Sequence, residues 1–120
     1  MSSIVLGKHM LVEYYRCDLK TINDLTAVRE AIIHAAKCAN ATIIDDVVHK
    51  FSPHGISGIV IIAESHLAIH TWPDYQFASV DIFTCNGKMN TDLAIQSLKE
   101  KLGAEEMTVK EIERGRFPRK

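Results

Sequence analysis

Four short runs of β-branched and aromatic residues follow one another in the middle of the chain, and they constrain the fold more than any other feature. Turn signals such as Pro53-His54-Gly55 and Pro73-Asp74 separate the runs, and Asn86-Gly87 follows the last of them. Because strands joined by short turns pair antiparallel, the pattern predicts an antiparallel sheet. The predicted strands of this region are residues 41–51, 56–62, 67–71 and 77–84.

Two other segments have the apolar spacing of helices. The apolar residues between positions 25 and 35 recur at intervals of three and four, which predicts a helix that ends near Asn40. A second helix is predicted from about residue 90 to residue 102, where Gly103 is a good stop signal. Further strands are predicted at residues 9–16 and 107–112. The order of elements predicts an α+β fold, a two-layer α/β sandwich whose antiparallel sheet carries two helices on one face.

Length and composition exclude several classes of protein. The 120 residues fit one domain, predicted to span residues 1–120. Fourteen Lys and Arg residues against fifteen Asp and Glu residues give a net charge of −1, which argues against a nucleic-acid-binding protein. The longest aliphatic run, residues 59–63, is too short to span a bilayer, and charges interrupt the apolar start too early for a signal peptide. Three cysteines are too few for a disulfide framework, so we expect a cytoplasmic protein without membrane association.

One strand suggests self-association. Residues 58–63 are apolar at nearly every successive position, which predicts that both faces of this strand are buried. Two helices can cover only one face of the sheet, so a second copy of the chain is the expected cover for the other, and a homodimer is predicted. Mixed burial at a sheet edge would also explain the pattern.

Reactive side chains are unusually dense between Ser57 and Cys85. His66 and His70 are four residues apart, but on a strand this spacing holds the two imidazoles too far apart to chelate one ion comfortably. No third ligand lies at a diagnostic spacing, so no metal site is predicted. The reactive residues are Ser57, Glu64, Ser65, His66, His70, Trp72, Asp74, Asp81 and Cys85.

One segment in this region is distinctive, because residues 64–73 read ESHLAIHTWP. The string resembles the self-cleavage region of the prokaryotic S-adenosylmethionine decarboxylases, which are small pyruvoyl enzymes made as proenzymes. Shorter matches follow in the same order across roughly residues 5–115. They are Gly7-Lys8-His9, Cys17-Asp18, Phe51-Ser52-Pro53, Gly55-Ile56-Ser57-Gly58, Val80-Asp81-Ile82-Phe83-Thr84-Cys85 and Glu113-Arg114-Gly115.

The resemblance implies that the chain cuts itself at the bond between Glu64 and Ser65. Ser65 would attack the Glu64 carbonyl carbon and end as a pyruvoyl group, the only cofactor expected, which forms a Schiff base with the substrate amine. His70 matches the proton acceptor of processing, and Ser57 matches a second residue implicated in it. The product would be a beta chain of residues 1–64 and an alpha chain of residues 65–120.

The resemblance also implies how the substrate is bound and released. Cys85 matches the proton donor to the decarboxylated α-carbon, a role that suits a thiol because a thiol is mostly protonated at neutral pH. Phe51 and Trp72 occupy the positions of aromatic residues that contact adenine. Asp74 stands where relatives often carry glutamate, which would accept hydrogen bonds from the ribose hydroxyls. The implied activity is decarboxylation of S-adenosylmethionine, which supplies the aminopropyl donor for spermidine.

Other functions remain open from the residues themselves. An arginine or ornithine decarboxylase on the same scaffold would share the processing residues. A non-processing binding or regulatory paralogue need not retain all of them, and a cysteine hydrolase that used Cys85 and His70 would lack any recognisable signature. The basic carboxyl-terminal residues 114–120 are predicted to form a solvated, partly disordered tail.

Overall fold

A computed structural model describes residues 3–85 and 89–119 of the chain. Six strands form one sheet in the order β2-β3-β4-β5-β1-β6, and every neighbouring pair is antiparallel. The predicted α+β sandwich with an antiparallel sheet is therefore confirmed. The elements are β1 (Ser3–Tyr15), α1 (Leu19–Ile22), α2 (Leu25–Cys38), β2 (Ile43–Lys50), β3 (Ile56–Ile62), β4 (Ser65–Trp72), a 3-10 turn (Pro73–Tyr75), β5 (Phe77–Thr84), α3 (Thr91–Lys101) and β6 (Glu106–Pro118).

Three details differ from the prediction. A third helix, the single turn α1, precedes α2, and the carboxylate of Asp18 caps it by accepting from the Thr21 N–H. Strand β1 begins six residues earlier than residue 9, and β6 continues to Pro118, because these two strands pair along their whole lengths from Ser3 with Pro118 to Tyr15 with Glu106. Most of the predicted basic tail is therefore strand. The predicted turn at Asn86-Gly87 lies outside the described residues.

The helices pack against one face of the sheet, where alternate strand residues such as Val12, Val60 and Ile82 are fully or almost fully buried. Tyr14 belongs to this core, and its hydroxyl donates a 2.8 Å hydrogen bond to the carbonyl of Ile95 in α3. Burial raises the pKa of this hydroxyl well above its ordinary value, so it stays protonated and continues to donate. The bond ties β1 to the helix layer.

Replacement of Tyr14 by phenylalanine is expected to lower the free energy of unfolding by about 1 kcal/mol, since the buried Ile95 carbonyl loses a hydrogen bond. Urea denaturation of the variant in a Ser65→Ala background, expected to remain uncleaved, measures the change on one continuous chain. Tyr75→Phe is the control, because Tyr75 is 79% exposed and should leave the midpoint unchanged. Equal midpoints for the two variants would contradict this role of Tyr14.

The other face of the sheet, here called the open face, carries no helix within the described residues. Strand β3 alternates along its length, with Val60 and Ile62 buried under the helices, whereas Ile61 on the open face is 42% exposed. Val47 on β2 is 60% exposed on the same face. The run at residues 58–63 is thus buried on only one side in a single chain, which leaves an apolar surface on the other.

Candidate active site

The predicted cleavage bond lies in the hairpin between β3 and β4. Ile62 pairs with Ser65, so only Ala63 and Glu64 form the connection. Ser65, the first residue of β4, has a φ angle of 152°, in a region that residues with a Cβ rarely adopt. Such an angle costs about 1–3 kcal/mol and persists only where the surrounding structure imposes it. Backbone strain is therefore concentrated at the residue expected to react.

Backbone N–H groups hold both the side-chain carboxylate and the main-chain carbonyl of Glu64. Its side chain is buried, and the carboxylate oxygen Oε1 accepts from the N–H of Thr42 at 3.1 Å. Its main-chain carbonyl oxygen accepts from the N–H of Cys85 at 3.0 Å. The second bond polarises the carbonyl carbon that Ser65 would attack, and it aims a donor at the oxygen on which negative charge would develop. We call Glu64, Ser65 and Cys85 the scissile corner.

The side chain of Cys85 is exposed just beyond the end of β5. A cavity of about 310 Å³ opens beside it and is lined in part by Gly7, Lys8 and Glu111. Cys17 differs sharply, because it is fully buried and its Sγ donates to the carbonyl of Tyr14 at 3.6 Å. Burial raises the pKa of the Cys17 thiol to about 11, so Cys17 is a core residue, whereas the exposed thiol of Cys85 is accessible for chemistry.

Ser57 and His70 form a second group, here called the dyad. They lie opposite each other on the paired strands β3 and β4, and Ser57 Oγ is 2.8 Å from His70 Nδ1. This hydrogen bond fixes the orientation of the imidazole ring on the open face. The family resemblance implies that Ser57 and His70 act in one mechanism, and the two side chains are in contact.

The dyad and the scissile corner do not meet within one chain. Ser65 and His70 stand at positions five residues apart on the same straight strand, β4. At a rise of 3.2–3.4 Å per residue, their Cα atoms are roughly 16 Å apart. An imidazole cannot take a proton across that distance, so His70 of one chain is out of reach of its own Ser65.

The predicted substrate-binding residues lie at the dyad end of the sheet. Phe51 and Trp72 are 48% and 45% exposed, so neither is an ordinary core residue. The Phe51 ring packs edge-on against His49 at 4.6 Å between centroids. Asp74, in the turn after Trp72, pairs with His54 Nε2 at 2.8 Å, a contact that the sequence did not indicate.

A cluster of side chains on the open face was not predicted from the sequence. His9 and His66 both lie within hydrogen-bond distance of Asp81, although His9 and Asp81 are 72 positions apart in the chain. Only the pairing of β1 and β4 on either side of β5 brings the three side chains together. The rejected pair, His66 with His70, is confirmed to lie on a strand.

Within the described ranges, none of the helices has both the length and the hydropathy that a bilayer-spanning segment requires.

Comparisons with known proteins show the family and the fold. The family model described as S-adenosylmethionine decarboxylase matches residues 8–115. A curated S-adenosylmethionine decarboxylase proenzyme of Pelotomaculum thermopropionicum is 48% identical over 113 residues, which cover 94% of this chain and 90% of the relative. One from Acidithiobacillus ferrooxidans is 46% identical over 110 residues, 92% of this chain and 83% of the relative. The crystal structure of the adenosylmethionine decarboxylase from Aquifex aeolicus superimposes with a TM-score of 0.84 at 35% identity, covering 92% of both chains.

Proposed function

This chain belongs to the S-adenosylmethionine decarboxylase family, and from that premise we propose that it decarboxylates S-adenosylmethionine with a pyruvoyl group made from its own Ser65. The product is decarboxylated S-adenosylmethionine, the aminopropyl donor for spermidine. The observation that carries the proposal is the scissile corner, where a strained Ser65 follows a carbonyl that accepts a hydrogen bond from the Cys85 N–H. These residues fit the formation of a pyruvoyl group, because strain and polarisation both act on the bond that must break.

Self-cleavage proceeds by an acyl shift, an elimination and a hydrolysis. Ser65 Oγ attacks the Glu64 carbonyl carbon, the Ser65 nitrogen leaves with a proton, and the amide becomes an ester. The Cys85 N–H stabilises the oxygen that becomes negative during this attack. A base then removes the Ser65 α-proton, and the Glu64 carboxylate is expelled to leave dehydroalanine. Water finally replaces the nitrogen of that residue, which departs as ammonia and leaves a ketone at position 65.

The base is His70 of a second copy of the chain. Because the open face is apolar at Ile61 and Val47, we infer that two copies pack these faces together. We infer that the two-fold axis of this dimer lies between the two sheets and runs at right angles to the strands, level with the midpoint between Ser65 and His70. Rotation about this axis brings the dyad of each chain opposite the scissile corner of the other. The homodimer of cleaved protomers therefore contains two composite sites.

The same arrangement assembles the substrate site from both chains. Phe51 and Trp72 lie at the dyad end, so they face the neighbouring Ser65 and Cys85 together with His70. Their exposed rings suit the adenine ring and the sulfonium cation of S-adenosylmethionine through stacking and cation–π attraction. Asp74 offers a carboxylate to the ribose hydroxyls, and its pairing with His54 holds that carboxylate in place.

The pyruvoyl group supplies a carbonyl that binds the substrate amine and withdraws electrons when carbon dioxide leaves. Cys85 then delivers a proton to the α-carbon from a side chain that is exposed beside the cavity. The three free cysteines also suit the reducing conditions of the cytoplasm, where we place the enzyme.

Replacement of Cys85 by alanine is expected to leave self-cleavage largely intact, because the backbone N–H that holds the Glu64 carbonyl remains. Turnover should fall by about a hundredfold, the usual contribution of a positioned acid, or continue with faulty protonation of the product. Fragment masses report cleavage, and carbon dioxide release from carboxyl-labelled S-adenosylmethionine reports turnover. Cys38→Ala is the control, since Cys38 is an exposed thiol on α2. Parent-like turnover in the Cys85 variant would show that Cys85 is not the donor.

Substrate choice is tested by measuring carbon dioxide release from S-adenosylmethionine, arginine and ornithine in parallel. We expect release from S-adenosylmethionine alone. A preference for arginine or ornithine would keep the pyruvoyl chemistry and overturn the proposed substrate.

A further inference from the structure

The cluster on the open face is a chain of hydrogen bonds that ends at the residue beside Ser65. His66 Nε2 lies 3.0 Å and His9 Nε2 lies 3.2 Å from the same Asp81 oxygen, Oδ1. Arg114 Nη1 lies 3.1 Å from His9 Nδ1. The side chains of His9, His66 and Asp81 are 20%, 33% and 30% exposed, so the cluster is partly shielded from water.

The direction of each bond follows from which groups can donate. A guanidinium only donates, so His9 Nδ1 must accept a hydrogen bond from Arg114. The His9 proton is therefore on Nε2, which donates a hydrogen bond to Asp81. The ionised carboxylate of Asp81 only accepts, so His66 Nε2 also donates to it. The three groups are close enough to hold a metal ion, but a cation on His9 Nε2 would need the lone pair that this proton occupies. The arrangement favours a hydrogen-bond network over a metal site.

Packing holds the network in place. The ring of Phe83 lies beside both imidazoles, with centroid distances of 5.5 Å to His9 and 6.0 Å to His66. The Arg114 guanidinium lies 6.0 Å from the same ring. Asp81 and Phe83 both belong to β5, which runs between β1 and β4. His66 is thus held to β5 by its side chain as well as by its backbone.

We propose that this network holds the start of β4 in place once the Glu64–Ser65 bond is broken, and that His66 is the positioning residue for the group at position 65. The inference rests on the proposed function. Before cleavage, the hairpin connection holds Ser65 covalently. After cleavage, residue 65 is a chain end, and chain ends fray unless other contacts hold them. The bond from His66 to Asp81 is the side-chain contact nearest that end among those described.

A matched set of three variants tests which atom of His66 matters. Glutamine carries a donor nitrogen at the reach of Nε2, whereas asparagine reaches only as far as Nδ1 and leucine has no donor. Hydrogen–deuterium exchange of the amides of residues 66–69 is measured in cleaved protein and in uncleaved protein with Ser65→Ala. In cleaved protein, His66→Leu and His66→Asn should exchange at least about threefold faster than the parent, and His66→Gln should resemble the parent. In the uncleaved background, all should exchange alike.

Two results would overturn the proposal in this experiment. One is equal acceleration in cleaved and uncleaved protein, which would make His66 an ordinary stabilising residue. The other is a glutamine variant that exchanges as fast as the leucine variant. If His66→Leu does not fold, Asp81→Ala, which removes the acceptor of the same hydrogen bond, is measured in its place and should also loosen only the cleaved protein.

Kinetics supply a second readout. His66→Leu should cleave fully, and its kcat should fall about tenfold with KM within twofold of the parent, since a misplaced reacting group slows chemistry more than binding. Asp81→Ala removes the contact with His66 together with the contact with His9, so its loss should be at least as large, and the double variant should be no worse than Asp81→Ala alone. Losses that multiply would overturn the proposal. His34→Leu, which removes the 2.8 Å bond to Ser97 in the helix layer, should keep the parent kcat.

The proposed function fails separately from this inference. If the parent protein does not cleave at Glu64–Ser65 or releases no carbon dioxide, the proposed function is wrong whatever the His66 variants do. If the parent cleaves and turns over while all three His66 variants match it in exchange and kcat, only the positioning role is wrong.

Discussion

Ser65→Ala is expected to remain a single chain of 120 residues and to release no carbon dioxide. Alanine has no oxygen with which to attack the Glu64 carbonyl, so neither the ester nor the ketone at position 65 can form. The effect is a complete loss rather than a reduced rate, because no neighbouring group supplies the oxygen that forms the ester, and without the ester no elimination to dehydroalanine can follow. Denaturing mass spectrometry after prolonged incubation measures it.

The control for this variant is Ser97→Ala. Ser97 is a buried serine of α3 whose hydroxyl contacts His34, so its loss costs stability in the helix layer without touching the scissile corner. The Ser97 variant should therefore cleave like the parent. Cleavage of the Ser65 variant at the same bond would refute attack by Ser65.

His70→Ala is expected to block formation of the ketone at position 65 on its own, and mixing it with Ser65→Ala should restore it. In a mixed dimer, the intact Ser65 of the His70→Ala chain faces the intact His70 of the Ser65→Ala chain. With equal amounts and random pairing, about half of the His70→Ala chains should yield the pyruvoyl-blocked fragment. Affinity tags of different mass on the two chains show which one has been cut.

The mixing experiment separates a composite site from a site within one chain. If each Ser65 used its own His70, neither variant would gain anything from the other, and no pyruvoyl-blocked fragment would form. That outcome would also conflict with the strand geometry, since roughly 16 Å separates the two positions along β4 at the usual rise per residue. A mixture of Ser65→Ala with itself under a second tag is the control and should stay uncut.

The layout of the fold was predictable where it depends on local patterns. Strands β3 and β5 match their predicted bounds, because β-branched runs between turn residues leave few alternatives. The full length of β6 was not predictable, since Arg114 and Arg116 are polar and their strand conformation depends on pairing with β1, about a hundred positions away. Edge strands formed in this way carry no local signal of their own.

In the candidate site, too, the features that depend on local sequence were predictable and most of those that depend on strand pairing were not. The string around Glu64 and Ser65 is local, and it points directly to the bond proposed to break. The donor from Cys85 to the Glu64 carbonyl depends on how β5 ends beside the hairpin, which sequence spacing does not specify. The separation of Ser65 from His70 was predictable from the sequence, because two positions five residues apart on one strand cannot meet. The contact of His9 with Asp81 was not predictable.

The most direct test of the account is the denatured mass of the purified, unmodified protein. We predict two fragments, one of residues 1–64 and one of residues 65–120. The second should be lighter, by the mass of one ammonia molecule, than a fragment beginning with an ordinary serine. A single chain of intact mass after long incubation would contradict the account, and so would a second fragment with a free serine at its start.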